Sequence, residues 1–144
     1  MAGGLPGAAG IAVFVGVKFG GYFLAGKVLN TYVAAIRSPA WKIAAVRTIL
    51  GVILGPPMTL SWMWLVGLAE WPGSRLRSGY VLYAGLAVIR VFVWAFVLFV
   101  FSERKEYPAS RLWFHAVLCA AWSCLLDWPG YKLADITPGK ITIC

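Results

Sequence analysis

Arg90 has the strongest claim to chemistry in this sequence, because it stands near the middle of Gly79 to Phe101, the most hydrophobic run in the chain. A guanidinium at the bilayer centre raises the insertion free energy by roughly 2.5 to 3.5 kcal/mol, and an intramembrane ionisable residue marks a functional site by default. Lys27 and Lys18, in the first apolar run, are the other candidate interior cations. The acids that could answer them, Glu70 and Asp127, fall at the ends of apolar runs, and none falls in the middle of one. The interior is therefore expected to hold excess positive charge. A lipid phosphate, a small anionic solute or an acidic residue of a partner subunit would balance it. The competing reading of Arg90 is structural: it bonds carbonyls freed by Pro56 and Pro57 and stacks on Trp94, one turn further along.

Arg111, His115, Cys119, Ser123 and Asp127 recur at four-residue spacing along the last apolar run. Such a stripe drifts by ~40° per step around a helix, so it winds along the surface as the bundle-facing side. His115 with Cys119 is the one pair resembling a catalytic or metal constellation. A cysteine nucleophile needs a base and an orienting group, and zinc needs three or four ligands. Neither set is visible, so no catalytic residue, metal or cofactor is assigned. With one histidine in the chain, haem ligation by paired histidines has no basis. Gly55-Pro56-Pro57 lies inside the second apolar run, where two missing donors predict a kink or an unwound turn.

The elements that must position these residues follow from composition. Of 144 residues, 61% are hydrophobic and 12% charged, against ~25% charged in a soluble domain. A helix needs ~20 apolar residues to cross the hydrocarbon core, and four such runs fit: about Leu5 to Ile36, Ala44 to Ala69, Gly79 to Phe101, and Pro108 to Trp128. The fold class is thus all-α, a four-helix transmembrane bundle forming one domain, residues 1–144. The net charge of +8 sits mainly between apolar runs, where bases orient helices and meet anionic lipid headgroups, so nucleic acid is excluded as a partner. Three cysteines contain no Cys-x-x-Cys pair and imply no disulfide framework. On the first run, Ala12, Gly16 and Gly20 form a small-residue face suited to close helix approach. At ~100° per residue, Lys27 continues that face and is expected to look inward. Lys18 points nearly the opposite way and makes sense only near an interface or against a partner.

Glu70-Trp71-Pro72-Gly73-Ser74-Arg75-Leu76 returns as Asp127-Trp128-Pro129-Gly130-Tyr131-Lys132-Leu133, each copy directly after an apolar run. Each reads as the stop of a span. Gly21-Tyr22-Phe23-Leu24 is echoed by Gly79-Tyr80-Val81-Leu82, and Pro39-Ala40-Trp41-Lys42 by Pro108-Ala109-Ser110-Arg111. These pairs suggest a duplicated two-helix hairpin, residues 1–76 and 77–144, although the second pair is spaced unequally from the first in the two halves. Positive-inside counting sets Arg37, Lys42, Arg47, Arg104, Lys105 and Arg111 against Arg75, Arg77, Lys132 and Lys140, a small margin that favours termini outside; the expected location is a bacterial inner membrane.

Two functional classes lead, and the first is preferred because so few site residues are visible. It is a non-enzymatic subunit or stabilising partner of a membrane assembly, homo-oligomeric or joined to other membrane subunits. The second is a small oligomeric transporter or channel that binds an anion or lipid phosphate at Arg90 and Lys27 beside the Pro56-Pro57 break. A membrane enzyme using His115 and Cys119, or Asp127, comes third.

Overall fold

The computed structural model describes residues 7–33, 35–69, 78–103 and 107–137. They form α1 (Ala8–Tyr32), α2 (Ala40–Ala69), α3 (Ser78–Phe101), α4 (Ala109–Leu125) and α5 (Asp127–Ile136). By length and composition, three stretches can cross a membrane: α1, Ala84–Phe101 of α3, and α4 with α5 taken together as Ala109–Ile136. The apolar runs set these helices, since a backbone in lipid must satisfy its own hydrogen bonds. α1 packs on α2 and α5, α2 on α3, and α3 on α4. The ring closes because α5 carries the last helix back against α1.

The dry core gathers towards the end where α1 turns into α2 and α3 into α4. Trp94, Ile36, Ile43, Leu98 and Val97 are fully buried there. The two connections are tied to each other: Ile36 and Ser102 form an isolated antiparallel bridge, and the Glu103 amide donates to the Ala35 carbonyl at 2.9 Å. The nearby Arg37–Glu103 pair, 3.6 Å apart with both side chains largely exposed, adds at most ~1 kcal/mol. The backbone bridge sets the register.

Two sequence expectations for α1 are reversed. Ala12, Gly16 and Gly20 are exposed, and a Cβ at Gly16 or Gly20 would meet nothing within 4 Å. The buried face instead carries Gly10, Lys18, Gly21, Tyr22, Gly26 and Leu29. Lys27 accordingly points outwards, its ammonium 5.1 Å from the Phe23 ring centre. The close approaches are at Gly26, where a Cβ would come within 3.0 Å of the Ala40 carbonyl oxygen, and at Gly21, against Leu126. Backbone cannot yield as a side chain can. Gly26→Leu is expected to lower stability by ~1–3 kcal/mol by prising α1 from α2, read as a lower unfolding temperature in neutral detergent. Gly20→Leu in a monomeric preparation should leave that temperature nearly unchanged.

Neither proline signal breaks a helix. α2 runs through Pro56 and Pro57 without an unwound turn. Asp127-Trp128-Pro129-Gly130 does not end the helical path: α4 stops at Leu125, but α5 starts at Asp127 and continues to Ile136 after a one-residue joint at Leu126. Pro129 falls in the first turn of α5, where a missing amide is tolerated. Gly130 serves packing, since a Cβ there would lie 2.8 Å from the Phe14 ring. The first Trp-Pro-Gly segment, Glu70 to Leu76, lies outside the described residues. Of the other echoes, Ala40 and Ala109 both open helices, whereas Gly21 sits midway along α1 and Gly79 at the start of α3.

Candidate functional site

Asp127 is the hub of a partly buried charge cluster. The joint at Leu126 brings its carboxylate, at the N-terminus of α5, beside the last carbonyls of α4, and both face Lys18 on α1. The Lys18 ammonium pairs with Asp127 Oδ1 and donates to the Ser123 carbonyl at 2.9 Å. A cation at the end of α4 and an anion at the start of α5 both suit the helix dipoles. Arg90, from the middle of α3, reaches the other carboxylate oxygen, with Nη1 2.5 Å from Asp127 Oδ2, and also lies 3.0 Å from Cys124 Sγ. Tyr22 and Ser123 complete the wall through a 2.8 Å hydroxyl–hydroxyl bond.

Arg47 is the fourth charged member. Because α2 begins at Ala40, Arg47 stands two turns inside it and is only 4% exposed. Its guanidinium lies over two rings, 5.1 Å from Tyr22 and 5.5 Å from Trp94, which are themselves edge-to-face at 5.6 Å. A Cβ on Gly51 would come within 3.2 Å of its Nη1, so the group runs forward along α2 past that glycine. Among the described residues it makes no ion pair, and its Nε, the neighbouring Thr48 Oγ1 and Trp94 Nε1 are buried without hydrogen-bond partners. Buried polar atoms are nearly always satisfied, so three orphans around one guanidinium single out this spot.

Lys18, Arg47, Arg90, Ser123 and Asp127 border a cavity of about 640 Å³ in the half of the bundle away from the dry core. Its remaining lining is mainly apolar, with Gly55 and Pro56 on one wall. Among the described residues three cations meet one carboxylate there, so their formal charge around the cavity is two positive. Aromatic faces at Phe14 and Tyr22, 5.4 and 5.9 Å from the Lys18 ammonium, soften that charge without neutralising it.

The structure thus unites Lys18, Arg90, Ser123 and Asp127, with Gly55 and Pro56 on the same cavity, and leaves the other candidates elsewhere. Lys27 and Arg111 are exposed, and Pro57 is exposed away from the cavity lining. His115 bonds through Nδ1 to the Tyr107 hydroxyl at 2.6 Å, not to Cys119. Cys119 is buried in the apolar core. Burial pushes the Tyr107 phenol, in the connection before α4, up to about 12, so it stays protonated at any ordinary pH. Among the described residues no three His, Cys, Asp or Glu side chains gather as a metal set. Among the described residues the partners of Arg90 are Asp127 and Cys124, and Trp94 is stacked by Arg47. Asp127 does not close the last span, because α5 begins with it and carries the helix on to Ile136.

Arg47 is the residue that sequence reading missed, having been counted among connection bases. The available signal was its position inside the second apolar run, past Ala44. Moving it to the interior also leaves five connection bases against four on the opposite side, which removes most of the orientation bias. No family model, curated protein or solved structure matches this chain, so the chemistry of the site is read from its own residues.

Proposed function

We propose that this chain is a non-enzymatic, multi-pass membrane protein, with α2 as a fourth span, that binds an anion at Arg47 inside its bundle as a small transporter or carrier does. The observation that carries this reading is Arg47 itself: 4% exposed, without an ion pair among the described residues, and bordering a cavity with a net positive lining. A buried charge left uncompensated is strongly destabilising, and such a residue in a membrane helix marks a solute or ion path. Lys18 and Arg90 share the one acid, so they hold the site in place and do not call for a partner's carboxylate.

The subunit reading keeps one favouring observation, the contact-free Gly16 and Gly20 on α1, against which a helix of a second copy or another chain would fit closely. Thermal unfolding of the protein purified in neutral detergent tests the anion reading. Titration with a panel of inorganic and amphiphilic anions is expected to give saturable protection by at least one of them, weakened about tenfold or more in Arg47→Gln. If no anion protects, and the protein instead copurifies with fixed partner chains, the subunit reading takes its place.

A further inference from the structure

Resting on that anion site, we infer that its ligand is an amphiphile: a phosphate monoester head seated at Arg47, Lys18 and Arg90, with a single hydrocarbon chain laid along the apolar walls. Charge selects the head. Three cations and one carboxylate leave two positive charges, which a dianionic phosphate monoester balances and a carboxylate or phosphodiester does not. Donor chemistry agrees, because the Arg47, Lys18 and Arg90 side chains all line the cavity, and a phosphate offers several acceptor oxygens to a guanidinium fork.

Shape selects the tail. A cavity of about 640 Å³ has room for roughly twenty heavy atoms at ~30 Å³ each, far more than an inorganic anion fills and suited to a head with about half of one chain. Leu50, Leu54, Leu86, Ile89 and Val93 supply an apolar lining beyond the charged end. Val52 and Leu60 line it too and are themselves 55% and 66% exposed. The cavity is therefore open on the side that a bilayer would cover, and a lipid could enter sideways with its head leading.

The test compares heads and tails on the purified full chain in neutral detergent. Oleoyl lysophosphatidate is expected to raise the unfolding temperature saturably by several degrees. Oleoyl lysophosphatidylcholine, with the same tail and a diester head, oleate, with a carboxylate head, and glycerol 3-phosphate and inorganic phosphate, without a tail, should leave it nearly unchanged. Arg47→Gln should weaken half-saturation by about tenfold or more. Gly55→Leu places a side chain at a cavity position where a Cβ meets nothing within 4 Å, so it should fold and yet lose the lysophosphatidate effect. Equal protection by glycerol 3-phosphate or inorganic phosphate would overturn the tail while leaving the anion site standing. Equal protection by oleate would overturn the dianionic head, again with the site intact. Equal protection by the choline lipid, or full protection of Gly55→Leu, would overturn the lipid pose. If no anion protects, the inference and the reading beneath it fall together.

Discussion

Asp127→Asn is expected to lower stability by about 3 kcal/mol or more, among the largest effects of any near-isosteric change in the chain. Breaking a buried ion pair by removing one partner typically costs ~3–5 kcal/mol, because the other charge remains without compensation. Here one carboxylate serves both Lys18 and Arg90, so a single amide strands two cations beside a third, Arg47. Partial exposure moderates the loss: the Asp127 and Arg90 side chains are 20% and 22% accessible. The expected readouts are a lower unfolding temperature in neutral detergent and a smaller yield of monodisperse protein. Adding Lys18→Met should restore much of the loss, since a thioether of similar length can lie against Phe14 and Tyr22 where the ammonium now sits. A stability for Asp127→Asn within ~0.5 kcal/mol of the parent would mean that these charges are hydrated and not held by one another.

The helices were legible and their faces were not, and the difference is physical. Lipid imposes a length on each apolar run, so α1 and α3 could be placed within a few residues. Facing is normally read from polar–apolar contrast, and α1 is apolar nearly all round. Only its small residues offered a face. Small residues mark close approach of some helix without saying which, and here Gly21 and Gly26 are occupied within the chain while Gly16 and Gly20 are open. The Lys18 and Lys27 assignments reversed with that choice. Asp127 was misjudged for a different reason. Trp-Pro-Gly after an apolar run resembles a helix end, yet a proline in the first turn of a following helix is equally permitted, and one residue at Leu126 is enough to join the two. Arg47 was hidden by its closeness to the Arg37–Lys42 connection. The start of α2 at Ala40 shows that it lies two turns inside the helix.

Arg47→Met is expected to act in the opposite direction to Asp127→Asn, stabilising the ligand-free protein while abolishing protection by anions. Replacing a buried ion pair or triad with apolar side chains of similar volume is often neutral or stabilising by ~1–4 kcal/mol, because desolvation exceeds the attraction recovered. Arg47 recovers less than most, having no ion pair among the described residues and lying in a cluster with two other cations. Its two ring contacts oppose the gain, at ~0.5–2 kcal/mol each, although a methionine sulfur over Tyr22 and Trp94 replaces part of that. Thr48 Oγ1 and Trp94 Nε1 are unsatisfied already, so the substitution orphans no further donor. The net expectation is a rise of about 1–2 kcal/mol, seen as a higher unfolding temperature without ligand and a flat response to lysophosphatidate. A residue kept at a loss of stability is one whose benefit lies elsewhere, which is the usual mark of a functional site. If Arg47→Met instead unfolds the bundle by more than ~1 kcal/mol with no ligand present, its stacking on Tyr22 and Trp94 outweighs its desolvation, and Arg47 belongs to the core that holds α2 to α1 and α3.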